Sequence, residues 1–244
     1  MKDTKLTMIG GDNRQKQVAL IMAESGVHVE VYGLEIPKHH RRITNHSILT
    51  PKLFQSKVIM LPVPYKNQRG GINVIDQQEH LQPQSLFQLM KPDTIVIYGK
   101  QDQEIVDLCT QYSIHSYDIM QEESFSILNA IPTAEGAIQR AMERTDITLH
   151  GSKVLVLGYG RIGQILSRML RGIGAKVTAE ARKTEDLVWI EESGHDAVHL
   201  DELDSILGEQ DMIFNTIPAL ILNRNRLEKI RQDCVIIDLA SRPG

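Results

Sequence analysis

Three glycines at fixed spacing, Gly158-x-Gly160-x-x-Gly163, have the plainest chemical use of any residues in this chain. They follow a short apolar run at 153–157. They precede a segment in which Ile162, Ile165, Leu166, Met169, Leu170 and Ile173 recur at helical spacing, with Gly172 and Gly174 as its stop. Strand, glycine turn and helix in that order form a dinucleotide-binding fingerprint; a glycine turn serving only close packing is the bland alternative. Gly158 permits the tight turn, Gly160 lets a pyrophosphate approach the backbone, and Gly163 lets the helix pack against the strand. The helix N-terminus adds free N–H groups and a partial positive charge. Tyr159, Arg161 and Ile162 lie in the same turn and are expected cofactor contacts.

The end of the next strand, 175–181, selects the nucleotide. An acid there usually bonds the ribose 2′-hydroxyl of NAD, whereas an Arg accommodates the 2′-phosphate of NADP. The chain reads Glu180-Ala181-Arg182-Lys183. Arg182 and Lys183 favour NADP(H) over NAD(H), although Glu180 should share a face with Arg182. Further along, Thr216, Ile217 and Pro218 are expected near the nicotinamide ribose. Ala240, Ser241 and Arg242 follow a strand at 234–239 and should reach the same cleft.

A second set of residues suits a small anionic substrate. Gly10-Gly11-Asp12-Asn13-Arg14 joins a strand at 6–10 to a helix but lacks the dinucleotide spacing. Gly11, Asp12 and Arg14 could hold a carboxylate, since Arg offers a planar pair of donors. Equally, Asp12 could be only an N-cap and Arg14 a surface residue. Asn129, Thr133 and Glu135 open a helix near Pro132 and could face a substrate; Thr133 as cap and Glu135 as dipole partner is the alternative. His39-His40-Arg41-Arg42 reads as a solvated basic loop. Cys109 and Cys234 sit in apolar patterns as core thiols. No Cys or His spacing suggests a metal site or a disulfide framework, which fits a reducing cytoplasm.

These residues need two scaffolds. Strand candidates at 6–10, 27–32, 57–63, 94–98 and 114–117 alternate with helical patterns, as in a parallel sheet. The segment 64–83 reads as a mobile flap or exposed connection. The second half repeats the pattern with strands at 153–157, 175–181, 197–199, 211–217 and 234–239 and helices at 185–193 and 201–207. The expected class is α/β, with two doubly wound parallel-sheet, Rossmann-like domains joined by a hinge helix. Residues 1–130 form a substrate and catalytic domain, 131–150 the hinge helix and linker, and 151–244 the nucleotide-binding domain. A six-strand sheet would need another helix and strand after Gly244, so this domain reads as truncated at its C-terminal end. The 244 residues, 41% of them hydrophobic, can bury a sizeable core. The net charge of −4 gives no electrostatic case for nucleic acid, and no signal peptide or membrane span is evident.

With these segments in view, the chain resembles the A subunit of dipicolinate synthase, from spore-forming bacteria and their relatives. The resemblance rests on Gly10-Gly11-Asp12 with Arg14-Gln15, Leu61-Pro62-Val63, Ile131-Pro132-Thr133 with Glu135-Gly136, and Thr145-Asp146 with His150-Gly151-Ser152. The fingerprint, Asn215-Thr216-Ile217-Pro218 with Ile221-Leu222-Asn223, and the stretch from Asp238 to Gly244 complete it. Proteins of this family continue past Gly244 with another glycine and a C-terminal region. The resemblance implies oxidation of a dihydrodipicolinate-type intermediate of lysine biosynthesis to pyridine-2,6-dicarboxylate during sporulation. It also implies a flavoprotein-like second component, the dipicolinate synthase B subunit, a homo- or hetero-oligomer, and a place in the mother-cell cytoplasm. A dicarboxylate needs two anion sites, for which Arg14 and Arg242 are the expected pair. The proton acceptor is open among Glu135, Asp12, His150 and water. Two other functions fit the same residues. One is a different amino- or keto-acid dehydrogenase; the other is a protein that binds nucleotide and substrate while a partner's flavin performs the redox step.

Overall fold

The structure, a computed structural model, describes residues 5–34, 36, 40–74 and 81–240. The chain forms two compact units, Met1–Glu122 and Glu123–Gly244. In the first, strands β1 (Lys5–Ile9), β2 (His28–Tyr32), β3 (Ile43–His46), β4 (Val58–Met60), β5 (Ile95–Tyr98) and β6 (His115–Asp118) form one sheet. Its order is β3-β2-β1-β4-β5-β6 and every pairing is parallel. Helices α1 (Asn13–Glu24), α2 (Pro83–Phe87) and α3 (Gln103–Gln111) connect the strands. Alternation along the strands buries both faces, as parallel sheets require. Leu6, Met8, Val29 and Val31 pack with Ala19 and Ala23 of α1. Ile9, Ile59, Leu61 and Val96 pack on the opposite side with Phe87 and Leu108.

The second unit opens with the long helix α4 (Glu123–Arg144). It continues with β7 (Lys153–Leu157), α5 (Arg161–Ile173), β8 (Lys176–Ala181), α6 (Thr184–Glu192), β9 (Asp196–His199), β10 (Met212–Asn215), α7 (Arg224–Leu227) and β11 (Val235–Asp238). The sheet order is β11-β10-β7-β8-β9, again all parallel. Val154, Val156, Met212 and Phe214 face α4 and α5; Leu155, Leu157 and Ile213 face Leu203 and Leu207 on the other side. The buried stripe of α4 is Ala130, Ala134, Ala137, Ile138 and Ala141, mostly small side chains that bring the helix close to its neighbours. No helix among the described residues is long and apolar enough to cross a membrane.

Two doubly wound parallel sheets are therefore present as expected, with several differences in detail. The helix expected to open near Pro132 begins at Glu123, and Pro132 lies inside it. Thr133 is consequently no cap: its hydroxyl donates back to the Asn129 carbonyl at 3.1 Å, the mid-helix habit of threonine. Gly172 lies within α5, and Gly174 alone ends it, at φ +96°. The expected helix at 201–207 is two 3₁₀ turns, Leu200–Ser205 and Leu207–Glu209. Strand β3 is an addition to the expected set; as a half-exposed edge strand reading Ile-Thr-Asn-His, it has little apolar signal. The expected flap at 64–83 is anchored over 65–74. There Tyr65 and Ile72 are fully buried, and Asn73 links the Tyr65 carbonyl to the Gly11 N–H. Residues 75–80 lie outside the described residues. Cys109 is buried, whereas Cys234 is only half-buried.

Pro132 cannot donate to the Leu128 carbonyl, and a helix-interior proline costs about 3 kcal/mol against alanine. Pro132→Ala is expected to stabilise the second unit by up to this amount, read as a raised midpoint in urea denaturation.

Candidate nucleotide and substrate sites

In open α/β sheets, ligands bind beyond the carboxyl ends of the strands where the strand order reverses. In the second unit that place is between β7 and β10, and the glycine turn occupies it. Gly158 has φ +88°, and a Cβ there would lie 2.7 Å from Thr216 Oγ1 and 2.8 Å from Ile217. A Cβ on Gly163 would run into the Gly158 carbonyl oxygen. The turn is locked from β10. Thr216 Oγ1 donates to the Leu157 carbonyl at 2.8 Å, and Asn215 Nδ2 donates to Asp238 Oδ1 at 3.1 Å. Asn215 Oδ1 accepts from the Ile217 N–H at 3.1 Å. Gly160 is the N-cap of α5 and supplies no side-chain hydrogen bond. The first-turn N–H groups are thus left for an anion, as a pyrophosphate site needs.

A depression of about 640 Å³ opens at this turn. Of the expected cofactor residues, Gly158, Tyr159, Gly160, Arg161, Arg182, Lys183 and Ile217 line it. The others stand back from its wall. Ile162 packs into the core below, Gly163 is buried beneath the turn, and the Thr216 hydroxyl is spent on the Leu157 carbonyl. Pro218 and Ala240 are not part of the lining either; Ala240 N–H donates to Asp238. Ser241 and Arg242 lie outside the described residues. Glu123, Gln164 and Asp186 also line the depression, and no motif marks them. Glu123 gets there because α4 starts nine residues earlier than the apolar stripe alone suggests. It pairs with Arg161 at 3.1 Å.

Glu180 is fully buried at the wall, although it is an acid. Its Oε2 accepts the Gly158 N–H at 3.1 Å, and its Oε1 has no partner among the described residues. Burial raises its pKa above the ordinary glutamate value, against the opposing pull of the Gly158 N–H and of Arg182, His199 and Arg226. The last strand position, where an acid would meet a ribose, is Ala181, and Arg182 and Lys183 follow it exposed. A cradle that any Cβ would fill and an uncapped helix N-terminus fit a dinucleotide, and two basic residues stand beyond the strand end.

In the first unit the strand order reverses between β1 and β4. Gly11, Asp12 and Arg14 follow β1 there, and Val63 follows β4. Asp12 caps α1, forming a reciprocal capping box with Gln15. Arg14 clasps the Asp12 carboxylate, with Nη2 at 2.8 Å from Oδ2, and Nη2 also donates to the Val63 carbonyl at 3.0 Å. The Arg14 guanidinium holds the Asp12 carboxyl below its usual range. Asp12 thus does cap the helix, and Arg14 is fixed between the Asp12 carboxylate and the Val63 carbonyl. Arg14 remains more than half exposed.

Asn129, Thr133, Glu135 and His150 do not line the nucleotide depression. Asn129, Thr133 and Glu135 lie in the interior of α4, and Glu135 borders a groove with Met142, Met169 and Ile173. Met169 and Ile173 belong to the late turns of α5, away from its N-terminus at Arg161. His150 precedes β7, by the Gly174 end of α5, so it sits at the opposite end of the strand from the glycine turn. Neither Glu135 nor His150 is therefore placed to act at the nucleotide depression. Asp12 lies at the carboxyl end of its own sheet.

Fold and site define a two-unit α/β protein whose second unit is a dehydrogenase-type nucleotide-binding domain. Residues 5–120 match the family model of the N-terminal domain of the dipicolinate synthase A subunit. Residues 127–242 match that of the D-isomer specific 2-hydroxyacid dehydrogenase NAD-binding domain. The dipicolinate synthase A subunit of Bacillus subtilis (strain 168) is 31% identical over 242 residues, covering 98% of this chain and 82% of that protein. The crystal structure of the dipicolinate synthase A subunit from Bacillus halodurans superposes with a TM-score of 0.89 at 29% identity, covering 99% of this chain and 83% of that one. The crystal structure of the counterpart from Bacillus subtilis gives a TM-score of 0.87 at 30% identity, over 100% and 83%. The chain belongs to the family of dipicolinate synthase A subunits.

Gly158→Ala tests the turn. The added Cβ meets Thr216 and must adopt a left-handed conformation that costs about 1–2 kcal/mol. Nucleotide affinity measured by calorimetry is expected to fall at least about tenfold, equivalent to about 1.4 kcal/mol.

Proposed function

We propose that this chain is the A subunit of a dipicolinate synthase and that it oxidises a dihydrodipicolinate-type intermediate to pyridine-2,6-dicarboxylate with NADP⁺. The observation that carries this reading is kinship along both units at once: the 31% identity spans 98% of the chain, substrate half and nucleotide half alike. The nucleotide domain by itself would fit many dehydrogenases.

The reaction removes a hydride and a proton from a ring bearing two carboxylates, and aromatisation favours it. NADP⁺, when bound, supplies the hydride acceptor. The turn at 158–163 and the N-terminus of α5 hold the pyrophosphate, and Arg182 with Lys183 receives the 2′-phosphate. The burial of Glu180 beneath the turn supports NADP over NAD, because this acid is not exposed to a ribose hydroxyl. Arg14, oriented by Asp12 and the Val63 carbonyl, takes one substrate carboxylate, and Arg242 is proposed for the other. Asp12 or water is proposed to accept the proton. The dipicolinate synthase B subunit is the proposed partner, and the cytoplasm of a sporulating cell the proposed setting.

The test is to mix this chain, with and without that partner, with NADP⁺ and the product of dihydrodipicolinate synthase. Pyridine absorbance and NADPH should rise together, in equal amounts. Pyridine formation without NADPH would favour a flavin on the partner; NADPH without pyridine absorbance would favour another dehydrogenase. Arg182→Ala should weaken NADPH binding about tenfold or more while leaving NADH affinity within about twofold, as expected for a lost charge-assisted pair.

A further inference from the structure

Glu180 has no task in the mechanism above beyond its bond to the turn, yet it is an acid with no solvent exposure. One carboxyl oxygen is bound to the Gly158 N–H and the other is unpartnered among the described residues. It sits in the wall of the depression, one residue before the strand ends and two before Arg182. Its unpartnered oxygen is shut off from solvent, so it can act on a ligand through charge and not through contact. An ionised carboxylate here would lie behind the cations proposed to receive the 2′-phosphate. It would cancel part of their field and repel the phosphate through a medium of low dielectric. A protonated carboxyl would leave that field intact. The neutral 2′-hydroxyl of NAD is nearly indifferent to either state.

We propose that Glu180 sets the selectivity between NADP and NAD as a buried, titrating charge behind the 2′-phosphate site, with NADP favoured while Glu180 is protonated. This deepens the nucleotide assignment above and rests on it. Burial opposes ionisation of Glu180 and moves its titration above the ordinary glutamate range. The charged groups facing it are Arg182 and Lys183 after β8, His199 at the end of β9, and Arg226 of α7, which is itself paired with Asp204. Asp186 of α6, Arg161 of α5 and Glu123 of α4 stand on the same depression. Glu180 is a positioning residue in this account, since it touches the turn and not the ligand.

The sign follows from linkage. As pH rises through the Glu180 titration, the ratio of NADPH to NADH affinity falls, because only the phosphate is repelled. The experiment is a calorimetric titration of the protein with NADPH and with NADH from about pH 5.5 to about pH 8.5, for wild type and Glu180→Gln. The 2′-phosphate titrates near pH 6 by itself. It does so equally in both proteins, so the difference between the two curves belongs to Glu180. Across this range the wild-type ratio should fall about tenfold relative to that of Glu180→Gln, which follows the phosphate titration alone. His199→Gln should leave that fall in place. Coincident curves for wild type and Glu180→Gln would overturn the proposal while leaving a preference for NADPH standing. A preference for NADH at every pH, with the difference between the curves intact, would instead overturn the NADP assignment. If Glu180→Gln does not fold, ¹³C-carboxyl titration of wild type replaces it. One glutamate should titrate above the rest, with a midpoint matching that of the affinity ratio; a mismatch would overturn the proposal.

Discussion

The close approach of the β7–α5 turn to the end of β10 is the constraint on which the nucleotide depression depends. Gly163 can lie against the Gly158 carbonyl only because it carries no Cβ, and Gly158, which also lacks one, leaves room for the Thr216 hydroxyl. That hydroxyl then closes onto the Leu157 carbonyl and ties two strands together at their carboxyl ends. The first turn of α5 is presented, uncapped, at the mouth of this junction. A larger residue at Gly163 would push the helix off the turn, and one at Gly158 would displace Thr216 and Ile217.

The first unit solves a related problem with different chemistry. Its strand order also reverses beside β1, and a glycine pair again leads into a helix. There the helix end is closed by its own capping box, so it offers no open anion cradle. What it presents is a guanidinium, held by Asp12 and by a carbonyl from the neighbouring strand's exit. The buried Tyr65 at the base of the 65–74 segment donates to Asp102 at 2.5 Å, and Lys66 pairs with Asp102 at 2.8 Å. This anchors the segment that in turn holds Gly11. One sheet thus ends in an uncapped helix N-terminus with free backbone N–H groups, and the other in a capped helix with a guanidinium held beside it.

Much of this was legible in the sequence because parallel strands buried on both faces read as apolar runs, and glycines at strand exits mark their turns. The five strands of the second sheet and most of the first could be placed that way. Strand β3 could not, since an edge strand needs few apolar residues. The start of α4 was hidden by Pro132, which reads as a first-turn residue but here interrupts a helix already nine residues old. That error displaced Asn129, Thr133 and Glu135 onto a helix N-terminus they do not occupy, and it concealed Glu123 at the pocket. Glu180 was visible as an acid near Arg182. Its complete burial and its bond to Gly158 were not, because they depend on the register that sets β8 beside β7.

The central claim, hydride transfer from the substrate ring to a nucleotide bound at this turn, is most directly tested by isotope tracing. Substrate deuterated at the ring carbon that surrenders hydride would be turned over with NADP⁺, and the NADPH formed analysed by mass spectrometry. The account predicts one deuterium in each NADPH. Label lost to solvent, or pyridine formed with no labelled NADPH, would contradict it.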